Sequence, residues 1–74
     1  MDALKLALLR SRRIAFTYEI PVEYQNARAA YHSGYEAGWR DWDYDNPYTS
    51  SRHRMAYCVA YNAADRAIRE ESTN

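Results

Sequence analysis

Apolar and polar positions along the chain alternate in three helix-like stretches and one strand-like stretch. Ala3 to Arg10 are strong helix formers behind Asp2, a capping residue, and the stretch ends in basic residues as the helix dipole prefers. A short helix is predicted over roughly residues 3 to 12. In the next segment Ile14, Phe16, Tyr18 and Ile20 alternate with Ala15, Thr17 and Glu19, a period of two that suits a strand. A lone strand leaves its ladder unpaired, so the segment either pairs with a second copy or a partner, or continues the first helix. Both alternatives stay open at this level. Pro21 ends whatever precedes it and suits the first turn of a new helix.

From Val22 to about Trp39 the spacing is helical. Tyr24, Ala27, Tyr31, Gly34 and Gly38 fall on one stripe, extended by Ala30 and Ala37. Small residues on one face let a second helix backbone approach closely, and Gly34 and Gly38 are spaced for such a crossing. Residues 40–49 break the period, and Asn46 before Pro47 favours a turn, so a connecting loop is expected there. Thr49, Ser50 or Ser51 can cap a last helix from about Ser51 to Arg69. Its stripe is Arg54, Tyr57, Tyr61, Ala64 and Ile68, with Ala60 and Ala67 beside it, and Glu70 to Asn74 is expected to form a frayed polar tail. The predicted fold is all-α: a two-helix antiparallel hairpin, residues 21–74, with an N-terminal arm, residues 1–20.

Size limits what such a fold can do alone. A chain of 74 residues is one domain with a small core. Its single cysteine, Cys58, excludes an internal disulfide, and the two histidines do not stand at zinc-finger spacing from it. Good helix packing, oligomerisation or docking onto a larger partner must supply stability, and a homodimer is expected, because the core is small and residues 14–20 have no evident partner within the chain. No apolar run is long enough to span a membrane. The N-terminal apolar run is broken by Lys5 and followed by Arg10, Arg12 and Arg13, the reverse of a signal peptide. A cytoplasmic location is expected, which suits a lone thiol.

Ten basic and ten acidic residues cancel, but their placement is uneven. Arg10, Arg12 and Arg13 form one basic cluster; Arg52, His53 and Arg54 form another. Arginine interleaved with tyrosine can pair phosphates and stack on bases, so Arg10, Arg12, Arg13, Arg52 and Arg54 are the candidate RNA-binding residues. The competing expectation is that these arginines pair with Glu36, Asp41, Asp43 and Asp45 across the loop. Trp39, Asp41, Trp42, Asp43, Tyr44, Asp45 and Tyr48 place aromatic anchors among carboxylates, a combination suited to a basic protein surface. At least one of Trp39 and Trp42 is expected to cap the core instead.

Catalysis finds little support. Asp41, Asp43 and Asp45 lack the further ligands of a calcium loop, Cys58 with His53 lacks a third group, and there is no glycine-rich phosphate loop. Cys58 suits a small buried hydrophobe, and His32 and His53 suit surface or hydrogen-bonded positions. No cofactor and no metal are expected.

The stretch from Ala30 to Ala64 resembles the ribosome modulation factor family, which includes small plasmid and phage proteins related to a quinolone-resistance protein. The resemblance is carried by Gly34-Tyr35-Glu36-Ala37-Gly38, by Asn46-Pro47-Tyr48 and by Arg54. It continues in Tyr57 and Tyr61, where the family usually has Trp-x-x-Gly-Trp. It implies a small helical hairpin and a non-catalytic regulatory protein docking on a ribosome or its RNA. The alternative is a phage- or plasmid-encoded inhibitor that grips a host protein through the acidic aromatic loop.

Overall fold

Helix-forming sequence accounts for most of what is seen. The structure, a computed structural model, describes residues 3–11 and 18–72. Helix α1 spans Ala3–Ser11, a 3-10 helix spans Val22–Ala27, α2 spans Arg28–Trp39 and α3 spans Ser51–Ser72. No strand occurs among the described residues. Of the alternating segment, residues 14–17 lie outside the described residues, and residues 18–20 belong to neither a helix nor a strand.

The predicted helix from Val22 to Trp39 is two pieces. Pro21 starts the first turn, its carbonyl accepting from the Tyr24 amide at 2.9 Å. Ala27, at φ −129° and ψ 38°, then breaks the helical backbone before α2 begins. At the other end α3 extends past Arg69 to Ser72, so Glu70 continues the helix rather than starting a frayed tail.

α2 and α3 pack as a helix pair along the small-residue face. Ala27, Ala30, Ala56, Ala60, Ala64 and Ile68 are all buried between the elements. A methyl placed on Gly34 would lie 2.3 Å from the Tyr57 carbonyl oxygen, and one on Gly38 would lie 2.3 Å from that of Tyr61. The two glycines are therefore required by backbone approach, not by a turn. α2 also buries a second face. Tyr31, Tyr35 and Trp39 form a row of rings with centroids 6.5 Å apart at each step. Tyr18 stacks on Tyr35 at 3.8 Å, and Leu6, Leu9 and Ile20 pack against the same core. Tyr18 and Ile20 of the arm thus have partners within the chain.

α1 is fastened at the end of α2 by an exchange of caps. Helix ends leave carbonyls without internal partners. Arg10 donates from Nη1 to the carbonyls of Gly38 (3.2 Å) and Trp39 (2.9 Å). In return, Trp39 Nε1 donates to the Leu9 carbonyl at 3.0 Å, and Arg40 Nη1 donates to the Arg10 carbonyl at 3.2 Å.

Candidate functional site

The surface of interest starts where α2 stops. Asp41 has φ 61°, the left-handed conformation usually given to glycine after a helix. Its amide reaches the Gly38 carbonyl at 3.3 Å, and the Trp42 amide reaches that of Ala37 at 2.9 Å. These two bonds are the Schellman pair. The Trp42 carbonyl then accepts from the Tyr61 hydroxyl. The Trp42 backbone is held on both sides while its side chain stays 54% exposed.

The chain then runs back along α3. The Tyr44 ring meets Tyr57 and Tyr61 edge-on, with centroids 5.6 and 5.2 Å away, and remains 49% exposed. Asn46 Nδ2 donates to the Tyr44 hydroxyl at 3.1 Å and to the Arg54 carbonyl at 2.9 Å. Asn46 Oδ1 accepts from the Tyr48 amide at 3.2 Å, an Asx turn around Pro47. Arg54 Nη1 donates to the Tyr48 carbonyl at 2.8 Å. A loop without helix or strand is thereby fixed at four places.

The predicted contact residues divide on this frame. Asp41, Trp42, Asp43, Tyr44 and Asp45 are exposed. Among the described residues, none of these three aspartates forms an ion pair, so the expected pairing with arginines across the loop does not occur. Tyr48 is half-buried, its ring 5.9 Å from His53 and 6.1 Å from Tyr57. Trp39 is 6% exposed and belongs to the core, so it is the tryptophan that caps the interior.

The predicted RNA-binding arginines divide as well. Arg10 is only 15% exposed, caps α2, and lies 3.8 Å from Asp65, which also pairs with Arg69 at 3.0 Å. It is built into the fold rather than presented. Arg12 and Arg13 lie outside the described residues. Arg52 and Arg54 are exposed, Arg54 with its guanidinium on the loop. Its predicted place on the stripe between helices is not observed, because the start of α3 faces the loop there.

Sequence reasoning missed Met55, which is 53% exposed. With Tyr44, Asn46, Ser51, Arg54 and Cys58 it lines a shallow groove of about 320 Å³. The available signal was helical spacing: Met55 falls in line with the polar Ser51, Arg52 and Asn62, all exposed, rather than with the buried stripe. Cys58 is half-buried rather than sealed, with Asn62 Nδ2 3.8 Å from its sulfur. His53 shares a 3.3 Å hydrogen bond with Ser50, and His32 bonds the Tyr18 hydroxyl.

Burial raises the pKa of the core phenols. Desolvation, then neighbouring Tyr35 and Tyr31, push Tyr18 up to about 12. Desolvation is also the first cause for Tyr31, Tyr35, Tyr57 and Tyr61, all raised; Asp41 adds to it at Tyr61. A phenol with a raised folded value favours the fold while protonated, and the unfolded chain ionises first, at the ordinary value of 10.0. Stability is therefore full below about pH 10 and falls as pH rises toward about 12. Urea midpoints should drop across this window, with tyrosinate absorbance rising together with unfolding. A midpoint unchanged across the window would contradict the burial of these hydroxyls.

Among the described residues, no three His, Cys, Asp or Glu side chains gather as a metal site, and no helix is long and apolar enough to cross a membrane. No family model, curated protein or solved structure matches the chain.

Proposed function

We propose that the protein is a non-catalytic docking protein that grips a basic protein surface through the loop 41–48. One observation carries this. Three exposed aspartates without ion-pair partners among the described residues alternate with Trp42 and Tyr44, two half-exposed rings on a pinned backbone. Aromatic side chains in a fixed frame are the usual anchors of protein interfaces. Fixing them beforehand lowers the ordering cost of binding. Uncompensated carboxylates around them steer a basic partner into place and select against acidic ones.

The family resemblance points to a ribosome or its RNA; a basic protein on such an assembly fits this chemistry, and so does a nucleic-acid-handling host protein inhibited by a phage or plasmid product. Ribosomal RNA fits it less well. Phosphates would face the three aspartates, and Arg10 is engaged internally, which leaves Arg52 and Arg54 as the exposed cations among the described candidates. Self-association, the other partner anticipated from the sequence, would be served by Leu4 and Leu8, which are exposed on α1.

Affinity capture from bacterial lysate, with and without nuclease, tests the proposal. The wild-type chain should retain a basic protein partner after nuclease treatment. The double variant Asp43→Lys, Asp45→Lys should lose it by about 100-fold or more, as expected when close charge pairs reverse sign. Both positions are exposed, so the fold should survive; Asp41 is left alone because of its left-handed backbone. Capture that vanishes with nuclease and persists or strengthens in the double variant would overturn the proposal in favour of RNA.

A further inference from the structure

A half-open cleft of about 490 Å³ lies beside the start of α2, lined by Tyr18, Ile20, Gln25, Arg28, Ala29 and His32. It shares no residue with the docking loop, and its size is that of an ordinary small-molecule site. One wall is helical: Gln25, Arg28, Ala29 and His32 are spaced three, four and seven apart and share a face across the junction at Ala27. The other wall is the segment from Tyr18 to Ile20. Gln25 Nε2 donates to the Ile20 carbonyl at 2.7 Å and ties the walls together.

That tie also orients a cation. Gln25 Oε1 accepts from Arg28 Nη1 at 2.7 Å, so the guanidinium is aimed by an amide and not neutralised by a carboxylate. Among the described residues Arg28 forms no ion pair. The other walls are apolar or aromatic: the Ile20 side chain, the Ala29 methyl and the Tyr18 ring, which is held by its stack on Tyr35 and its bond to His32. A guanidinium is a planar fork of donors matched to a carboxylate. We propose that this cleft binds a small aromatic carboxylate, its ring against Tyr18, Ile20 and Ala29 and its carboxylate on Arg28.

Amide NMR spectra of the full chain, titrated with benzoate and separately with its neutral isostere benzamide, test this. Benzoate should saturate with a Kd of about 1 mM or tighter, shifting the signals of residues 18–20, 25, 28, 29 and 32 and leaving those of 41–48 in place. Benzamide should bind about 10-fold more weakly, since it forfeits the charge-assisted pair. Arg28→Gln, at an exposed position, should keep the remaining spectrum and lose about 10-fold in benzoate affinity. Ala29→Leu should block the cleft to both compounds. Equal binding of benzoate and benzamide, shifts that never saturate, or full benzoate affinity in Arg28→Gln would each overturn the proposal.

Discussion

Gly34→Ala is expected to destabilise the protein by about 3 kcal/mol, lowering its melting temperature by more than about 10 °C. Helix propensity alone predicts the opposite sign, a gain of roughly 1 kcal/mol for removing glycine from a helix interior. Packing decides. The added methyl would stand 2.3 Å from the Tyr57 carbonyl oxygen and 2.8 Å from its Cα. Both are backbone atoms of α3, so no side chain can swing aside, and α2 and α3 must separate. One turn on, Gly38 meets the Tyr61 oxygen and Cα at 2.3 and 2.9 Å, so a shift that relieves one glycine strains the other. Separation would loosen the contacts of Ala30, Ala56, Ala60 and Ala64, whose short side chains cannot bridge a wider gap. For a small domain with a total stability near about 5 kcal/mol, this is most of the margin. Urea unfolding followed by circular dichroism measures it; unchanged or increased stability would refute the close approach.

Arg10→Ala is expected to cost about 2–3 kcal/mol and to free α1 from the helix pair. Its guanidinium serves the Gly38 and Trp39 carbonyls, part-buried acceptors at the negative end of α2. Losing the donor removes a charge-assisted hydrogen bond from each carbonyl and leaves Gly38 with the longer bond from the Asp41 amide. The contact with Asp65 adds little, because Asp65 is partly exposed and is also paired with Arg69. The reciprocal bonds from Trp39 and Arg40 to the carbonyls of Leu9 and Arg10 depend on the same junction. Amide exchange in α1 should therefore accelerate more than in α3. An RNA contact would behave differently: stability and α1 exchange would stay the same, and only salt-dependent RNA affinity would fall. The variant thus separates the role that the arginine cluster suggests from the one the fold gives it.

The gap between those roles shows how far local sequence reaches. The α2 stripe of Tyr31, Gly34 and Gly38 was legible because a helix places such residues on one face by itself. The glycine spacing also announced close backbone approach. Tyr35 and its ring row were not legible in the same way. Their partner, Tyr18, is brought over by the arm, in a segment whose own pattern left strand and helix open. The turn at Asn46 and Pro47 was readable from residue types, but the left-handed Asp41 was not, since glycine is the usual sign of that geometry. Likewise, alternation of acid and ring in 41–45 marked the candidate surface. It did not show which tryptophan would remain on it.

By itself the sequence determined the helical segments, the small-residue face joining α2 to α3, and the concentration of aspartate and aromatic side chains in one loop. Each follows from interactions within a turn or two of the chain. Only the tertiary structure decided which charged and aromatic groups stay at the surface. Arg10 and Trp39 leave it through hydrogen bonds spanning 28 to 30 residues. Trp42 and Tyr44 stay half-exposed on a loop held by the Tyr61 hydroxyl and the Asn46 amide. Burial is a property of the whole packing arrangement, and no local period encodes it.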